Sequence, residues 1–155
     1  MRIEIINNQD KVRLDLRSIE KAASYILSKF DRDSNKSVNI IFLNDEEIKR
    51  LNRDYREIDS ATDVLSFSYL EDSIDEGGSS PAIIGEIYIS PPSARKNALR
   101  QGKDWNTGLE ILLLIMHGML HIYGYDHEQE DDEAEMACIQ ASLMHDIRSK
   151  NWKWY

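Results

Sequence analysis

Ile111-Leu112-Leu113-Leu114-Ile115-Met116-His117-Gly118-Met119-Leu120-His121-Ile122-Tyr123-Gly124-Tyr125-Asp126-His127 is the stretch that decides the fold. Asn106 or Thr107 opens it as a helix, and Leu109, the run Ile111 to Met116, Met119 and Leu120 make that helix apolar on nearly every side. Such a helix belongs in an interior, not on a surface. Gly124 is its natural stop, because glycine adopts the positive φ that ends a helix and turns the chain back. The run Ile111 to Met116 is far too short to span a bilayer.

Outward from this helix, the pattern alternates between sheet and helix periods. Arg2 to Asn7 reads as a first strand. Asp15 to Phe30 carries Leu16, Ile19, Ala22, Ala23, Ile26, Leu27 and Phe30 at helical intervals. After a polar turn, Ser37 to Leu43 is β-branched and apolar, a mostly buried strand. Asn44, with Glu47 three residues on, reads as the cap of a helix that carries Ile48 and Leu51 to about Tyr55. Val64 to Leu70 alternates as a strand, and Ile83 to Ser90 is another, so the two suit a hairpin with a long acidic loop over 71–82. Pro91 and Pro92 start a helix that continues to about Arg100. Glu128 to Glu135 feeds a last helix to about Arg148, followed by the aromatic tail 151–155. The expectation is one α+β domain over residues 1–155: a small mixed four-stranded sheet, about five helices, and the apolar helix at the centre.

The bulk numbers agree with one domain. The chain has 155 residues, 41% hydrophobic and 30% charged, which suffices for one core and a solvated surface. Its net charge of −9 argues against broad, non-specific nucleic-acid binding. Arg95, Lys96, Arg100 and Lys103 are a local basic patch or, equally, a solvated helix face. The only cysteine, Cys138, excludes an internal disulfide and a thiolate zinc site, and reads as a small apolar filler on the last helix. The N-terminus lacks an apolar secretion segment, so a cytoplasmic protein is expected.

His117 and His121 are four apart, so both imidazoles leave one helix face about a turn apart. The reversal at Gly124 brings His127 back towards them. Three converging neutral imidazoles form a nitrogen site that suits one Zn2+ per chain with a fourth position open. A lone histidine on an apolar helix is ordinarily a hydrogen-bonded core residue, but three with a glycine at the reversal point to metal; His145 stands apart as a surface residue. The spacing is that of the metzincin signature, His-Glu-x-x-His-x-x-Gly-x-x-His, except that Gly118 replaces the Glu. In zinc peptidases that Glu takes the proton of the attacking water, which glycine cannot do. Asp126 and Glu128 flank His127 either as imidazole-orienting partners or as solvated loop acids. In the polar stretch before Val64, Arg56 suits a two-pronged phosphate contact or a surface salt bridge, and Asp59 and Asp63 suit turn and capping roles.

Two segments together resemble the YbeY family of bacterial endoribonucleases. One carries Leu51-Asn52, Tyr55-Arg56, Asp59 and Thr62-Asp63-Val64-Leu65-Ser66-Phe67; the other carries His117-Gly118, Leu120-His121 and Gly124-Tyr125-Asp126-His127. Gly85-Glu86-Ile87 looks like the family's Gly-Asp-Ile strand. The likeness runs from about residue 37 to about residue 140, with Ser68 where the family usually has Pro and Glu86 where it usually has Asp. The resemblance implies a zincin-like α+β fold, one zinc on His117, His121 and His127, and a cleft arginine at Arg56. It also implies single-strand-specific RNA cleavage in rRNA maturation and ribosome quality control. Partners would be ribosomal RNA and the small ribosomal subunit or its assembly factors, with no membrane or DNA. Two rivals stay open: a zinc peptidase using another carboxylate, such as Asp63 or Asp126, as base, and a non-catalytic ribosome assembly factor with zinc as a structural pin.

Overall fold

The computed structural model describes residues 1–70, 81–125 and 130–150. Its elements run β1 (Arg2–Asn8), α1 (Leu16–Phe30), β2 (Lys36–Leu43), α2 (Asp45–Arg56), β3 (Val64–Ser68), β4 (Ala82–Ile89), α3 (Pro91–Gln101), α4 (Thr107–Ile122) and α5 (Glu130–Ser149). The sheet order is β1-β2-β4-β3. β1 pairs parallel with β2, β2 parallel with β4, and β3 antiparallel with β4. The domain is therefore α+β with a mixed sheet, and β3 is its outer strand beside β4. The expected hairpin is present; the acidic segment 71–80 between its strands lies outside the described residues, as does the tail 151–155. No helix among the described residues is long and apolar enough to cross a membrane.

The two-residue period sorts the strands into faces. Val38, Ile40 and Phe42 of β2 pair with Gly85, Ile87 and Ile89 of β4, and these with Ser68, Ser66 and Val64 of β3. That face carries the main core together with Ile19, Ala23 and Ile26 of α1 and Ile111, Leu112, Ile115, Met116 and Met119 of α4. The opposite face shows Leu65, Phe67, Glu86 and Tyr88, and α2 reaches it through Tyr55 against Phe67. α5 turns Met136, Leu143, Met144 and Ile147 inward. Its phase leaves Cys138 exposed, so the expectation of a buried filler fails: that position belongs to the outer side of the helix. His145 is exposed, as its sequence context suggests.

Local signals held with two exceptions. Asp15 caps α1, accepting from the Ser18 amide at 3.2 Å. Asn44 occupies the cap position of α2, but its side chain makes no capping bond and its buried Oδ1 has no partner among the described residues. Instead Asp45, Glu46 and Glu47 place negative charge at the helix N-terminus. Asp45 is also gripped by the hydroxyls of Ser90 and Ser93 at the start of α3. The second exception is β3, which ends at Ser68, not Leu70, although the Tyr69 amide still donates to the Ile84 carbonyl at 2.8 Å.

Asp31 joins three elements. It accepts from Lys36 Nζ at 2.6 Å and from the Tyr123 hydroxyl at 3.3 Å. The Lys36 ammonium, helped by the Asp33 amide, holds the Asp31 carboxyl below its ordinary value. A carboxyl lowered by folding adds stability above its unfolded value and loses it as the pH falls through the folded one. Asp31→Asn is therefore expected to melt below wild type at pH 7, with a gap that narrows and closes on acidification. Paired thermal melts across pH check this; a gap that stays constant would refute it.

Candidate functional site

Along α4, burial leaves one open stripe. Leu113, His117 and His121 are half-buried, while Ile111, Leu112, Ile115, Met116, Gly118, Met119 and Leu120 are buried. The helical pitch puts 113, 117 and 121 in one line. The two imidazoles face each other with Nε2 atoms 3.0 Å apart, ring centroids at 4.6 Å and planes at 72°. Zinc–nitrogen bonds of about 2.0–2.1 Å in a tetrahedron place two ligating nitrogens about 3.3 Å apart. The pair therefore fits as two arms of a zinc site. The third expected donor, His127, lies outside the described residues with its neighbours Asp126 and Glu128. Among the described residues no group of three His, Cys, Asp or Glu side chains is arranged to hold a metal ion.

Behind the pair, the Nδ1 of His117 lies 3.3 Å from the Gln140 side-chain amide of α5. Such a partner fixes which ring nitrogen carries the proton and which stays free. Sequence reasoning passed over Gln140. The available signal was a polar residue on the inner face of α5, four after Met136 and three before Leu143.

Two close approaches set α4 against the sheet. A Cβ on Gly118 would stand 2.9 Å from Ile87 Cγ2, and one on Gly85 would stand 2.5 Å from the Ile122 side chain and 2.8 Å from the Phe67 carbonyl oxygen. The Ser68 hydroxyl then donates to the Ile122 carbonyl at 2.8 Å, clasping β3 to the residue after His121. Proline there could not donate this bond. Gly124 has φ 93°, and the reversal is held by the Gly124 amide to the His121 carbonyl and the Tyr125 amide to the Leu120 carbonyl, each 3.0 Å. The expected turn after the histidine helix is present.

Arg56 is the last residue of α2, and its side chain is exposed. Glu57 follows in the left-handed region at φ 58°, its amide donating to the Arg53 carbonyl. The next turn is pinned from inside: Asn52, buried in α2, donates its Nδ2 to the Ser60 carbonyl at 2.9 Å. No hydrogen bond or ion pair among the described residues joins Arg56 to the imidazoles. Asp63 accepts from Asn97 Nδ2 at 3.0 Å, and its carbonyl takes the Ser90 amide at 2.9 Å, so it ties β3 to α3. Asp59 is exposed. Glu110, buried in the first turn of α4, accepts from Trp105 Nε1 at 2.7 Å; burial pushes its carboxyl above the ordinary range.

On the far face of β3, aromatic rings form a row. Tyr55 meets Phe67 edge-on at 5.4 Å and 70°, and Phe67 meets Tyr88 edge-on at 5.8 Å and 84°. Glu86 takes the Tyr69 hydroxyl at 2.6 Å and the Tyr88 hydroxyl at 3.1 Å. Burial first, then the Glu86 charge, pushes Tyr88 up to about 12 and raises Tyr69 as well, so both hydroxyls stay protonated donors at neutral pH.

With this geometry in place, likeness to known proteins becomes informative. The sequence model of the family described as Endoribonuclease YbeY matches residues 4–148. A Syntrophus aciditrophicus protein named Endoribonuclease YbeY is 37% identical over 140 residues, covering 90% of this chain and 84% of that one. A Bacillus velezensis protein of the same name is 33% identical over 147 residues, covering 92% of each. A solution structure of a Thermotoga maritima protein matches with a TM-score of 0.62 at 28% identity, covering 96% of this chain and 93% of that one.

Proposed function

The chain belongs to the YbeY family of endoribonucleases, and on that premise we propose that it is a zinc-dependent hydrolase cutting single-stranded ribosomal RNA during rRNA maturation and ribosome quality control. The observation that carries the metal reading is the His117–His121 pair, two Nε2 atoms 3.0 Å apart on the one open stripe of a buried helix. His117, His121 and His127 would hold one zinc ion. When bound, zinc supplies Lewis-acid polarisation at the scissile phosphodiester.

The remaining roles belong to the protein. With its side-chain amide turned to present Oε1, Gln140 would accept from the Nδ1–H of His117 and leave Nε2 for the ion. Arg56 would grip the non-bridging phosphate oxygens with its two-pronged guanidinium and offset the charge that builds there. Gly118 offers no carboxylate for peptide hydrolysis, which weighs against the peptidase rival. The partners would be ribosomal RNA and the small ribosomal subunit or its assembly factors, met in the cytoplasm.

Two measurements on purified protein test this. Metal analysis is expected to give one zinc per chain. Arg56→Ala is expected to cut single-stranded RNA on the order of 10²- to 10³-fold more slowly than wild type, with an unchanged melting temperature, because the side chain is exposed. Wild-type cleavage by this variant would remove the role of Arg56. Full activity in metal-free protein would remove the zinc.

A further inference from the structure

We propose that the exposed ring of Tyr55 is a stacking platform for a base of the single-stranded RNA substrate; this deepens the RNA-cleaving reading and rests on it. Tyr55 is 68% exposed. Its ring packs T-shaped with Phe67, and Phe67 packs in the same way with Tyr88. Tyr88, at the far end of the row, is anchored by its hydroxyl on the Glu86 carboxylate, which also accepts from the Tyr69 hydroxyl. The backbone is held too: the turn after Tyr55 and Arg56 is pinned by Asn52 to the Ser60 carbonyl. A fixed ring with an open face loses little freedom when a base stacks on it.

Position and charge single out the occupant. Phe67 and Ser68 point to opposite faces of β3; Phe67 carries Tyr55, and Ser68 clasps the residue after His121. β3 ends the strand order, so among the described residues it is the edge strand that borders both the aromatic face and the helix side of the sheet. Arg56, the next residue and also exposed, offers a phosphate contact from the same helix end. The chain's net charge of −9 repels a polyanion. Base stacking does not depend on charge and tolerates any sequence, as a substrate contact on an acidic protein requires. Duplex RNA keeps its bases stacked on each other and cannot use the ring in this way.

The test uses the full chain carrying His121→Ala, so that bound RNA survives, and reads the anisotropy of a short labelled single-stranded oligoribonucleotide. Adding Tyr55→Leu, which keeps an apolar cover on Phe67, is expected to weaken binding roughly 5- to 100-fold. Tyr55→Phe is expected to stay within about twofold and Tyr55→Trp to match or exceed the parent, with melting temperatures confirming each fold. In the active background Tyr55→Leu is expected to raise KM and leave kcat in place. Equal affinity for Tyr55→Leu and its parent overturns the platform, as does an equal loss for Tyr55→Phe, which would point to the hydroxyl. Inactive wild-type protein that still shows the Tyr55→Leu loss sinks the catalytic reading alone. Absence of RNA binding by every variant sinks both.

Discussion

Replacing His121 by alanine is expected to lower RNA cleavage on the order of a thousandfold or more, and to abolish zinc binding at the same stroke. His121 is one of two imidazoles set Nε2 to Nε2 at 3.0 Å. With His121 removed, the two proposed arms that remain, His117 and His127, would not hold the ion in a catalytic geometry. Groups that act as a unit fail as a unit, so His117→Ala/His121→Ala should be little worse than either single variant. A second readout does not depend on activity. An ion that binds only the folded chain adds stability, about 4 kcal/mol when present at a thousand times its dissociation constant. Chelation should therefore lower the melting temperature of wild type and leave that of His121→Ala unmoved. The same experiment separates an enzyme from an assembly factor with a structural pin: in the latter, folded His121→Ala would keep full function. A folded variant that cleaves like wild type and melts like wild type with or without chelator would end the metal reading.

How much of this was legible beforehand depends on the range of the interaction. The i, i+4 placement of His117 and His121 is a property of one helix, and the turn at Gly124 is local, so both could be read along the chain. The strands were legible from their alternation, but their order was not: β4 lies between β2 and β3 because parallel pairing with β2 and antiparallel pairing with β3 are both made by the same eight-residue strand. Asn44 illustrates a local signal losing to its surroundings, since its cap position formed and its side-chain bond did not. Cys138 was misread because its composition was weighed without the phase of α5. Asn52 and Ser68 were unreadable as site builders, because each acts on a backbone brought near only by the fold, and the inner-face position of Gln140 marks it as packed without saying against which ring. A cleft role for Arg56 comes from the family likeness alone, and in the fold the residue is an exposed helix end.

The glycine in the glutamate's place has a physical reason that bears on the peptidase alternative. Restoring the signature with Gly118→Glu is expected to destabilise the protein severely and to create no peptidase. The Cα–Cβ direction at 118 leads into Ile87, whose Cγ2, Cδ1 and Cγ1 would lie at 2.9, 3.0 and 3.0 Å from the added carbon. Ile87 is fully buried in the middle of β4, and its branched Cβ holds one rotamer stiffly. Two of the three clashing atoms are attached to that Cβ, so they cannot swing aside. Overpacking of this kind costs about 1–3 kcal/mol. Gly118→Ala regains about 1 kcal/mol of helix propensity, so it should melt only a few degrees low, at about 2–4 °C per kcal/mol for a chain of this size. Glutamate adds the burial of a carboxylate against an apolar strand, about several kcal/mol more unless it is protonated. Ile87→Val removes Cδ1, so Gly118→Ala/Ile87→Val should cost less than the sum of the two single changes, the sign of a shared contact. Thermal melts of the four proteins decide this, and a Gly118→Glu chain as stable as wild type would show that the space exists. Otherwise the helix lies this close to the sheet because residue 118 has no side chain, and the carboxylate a peptidase needs would have to come from another part of the chain.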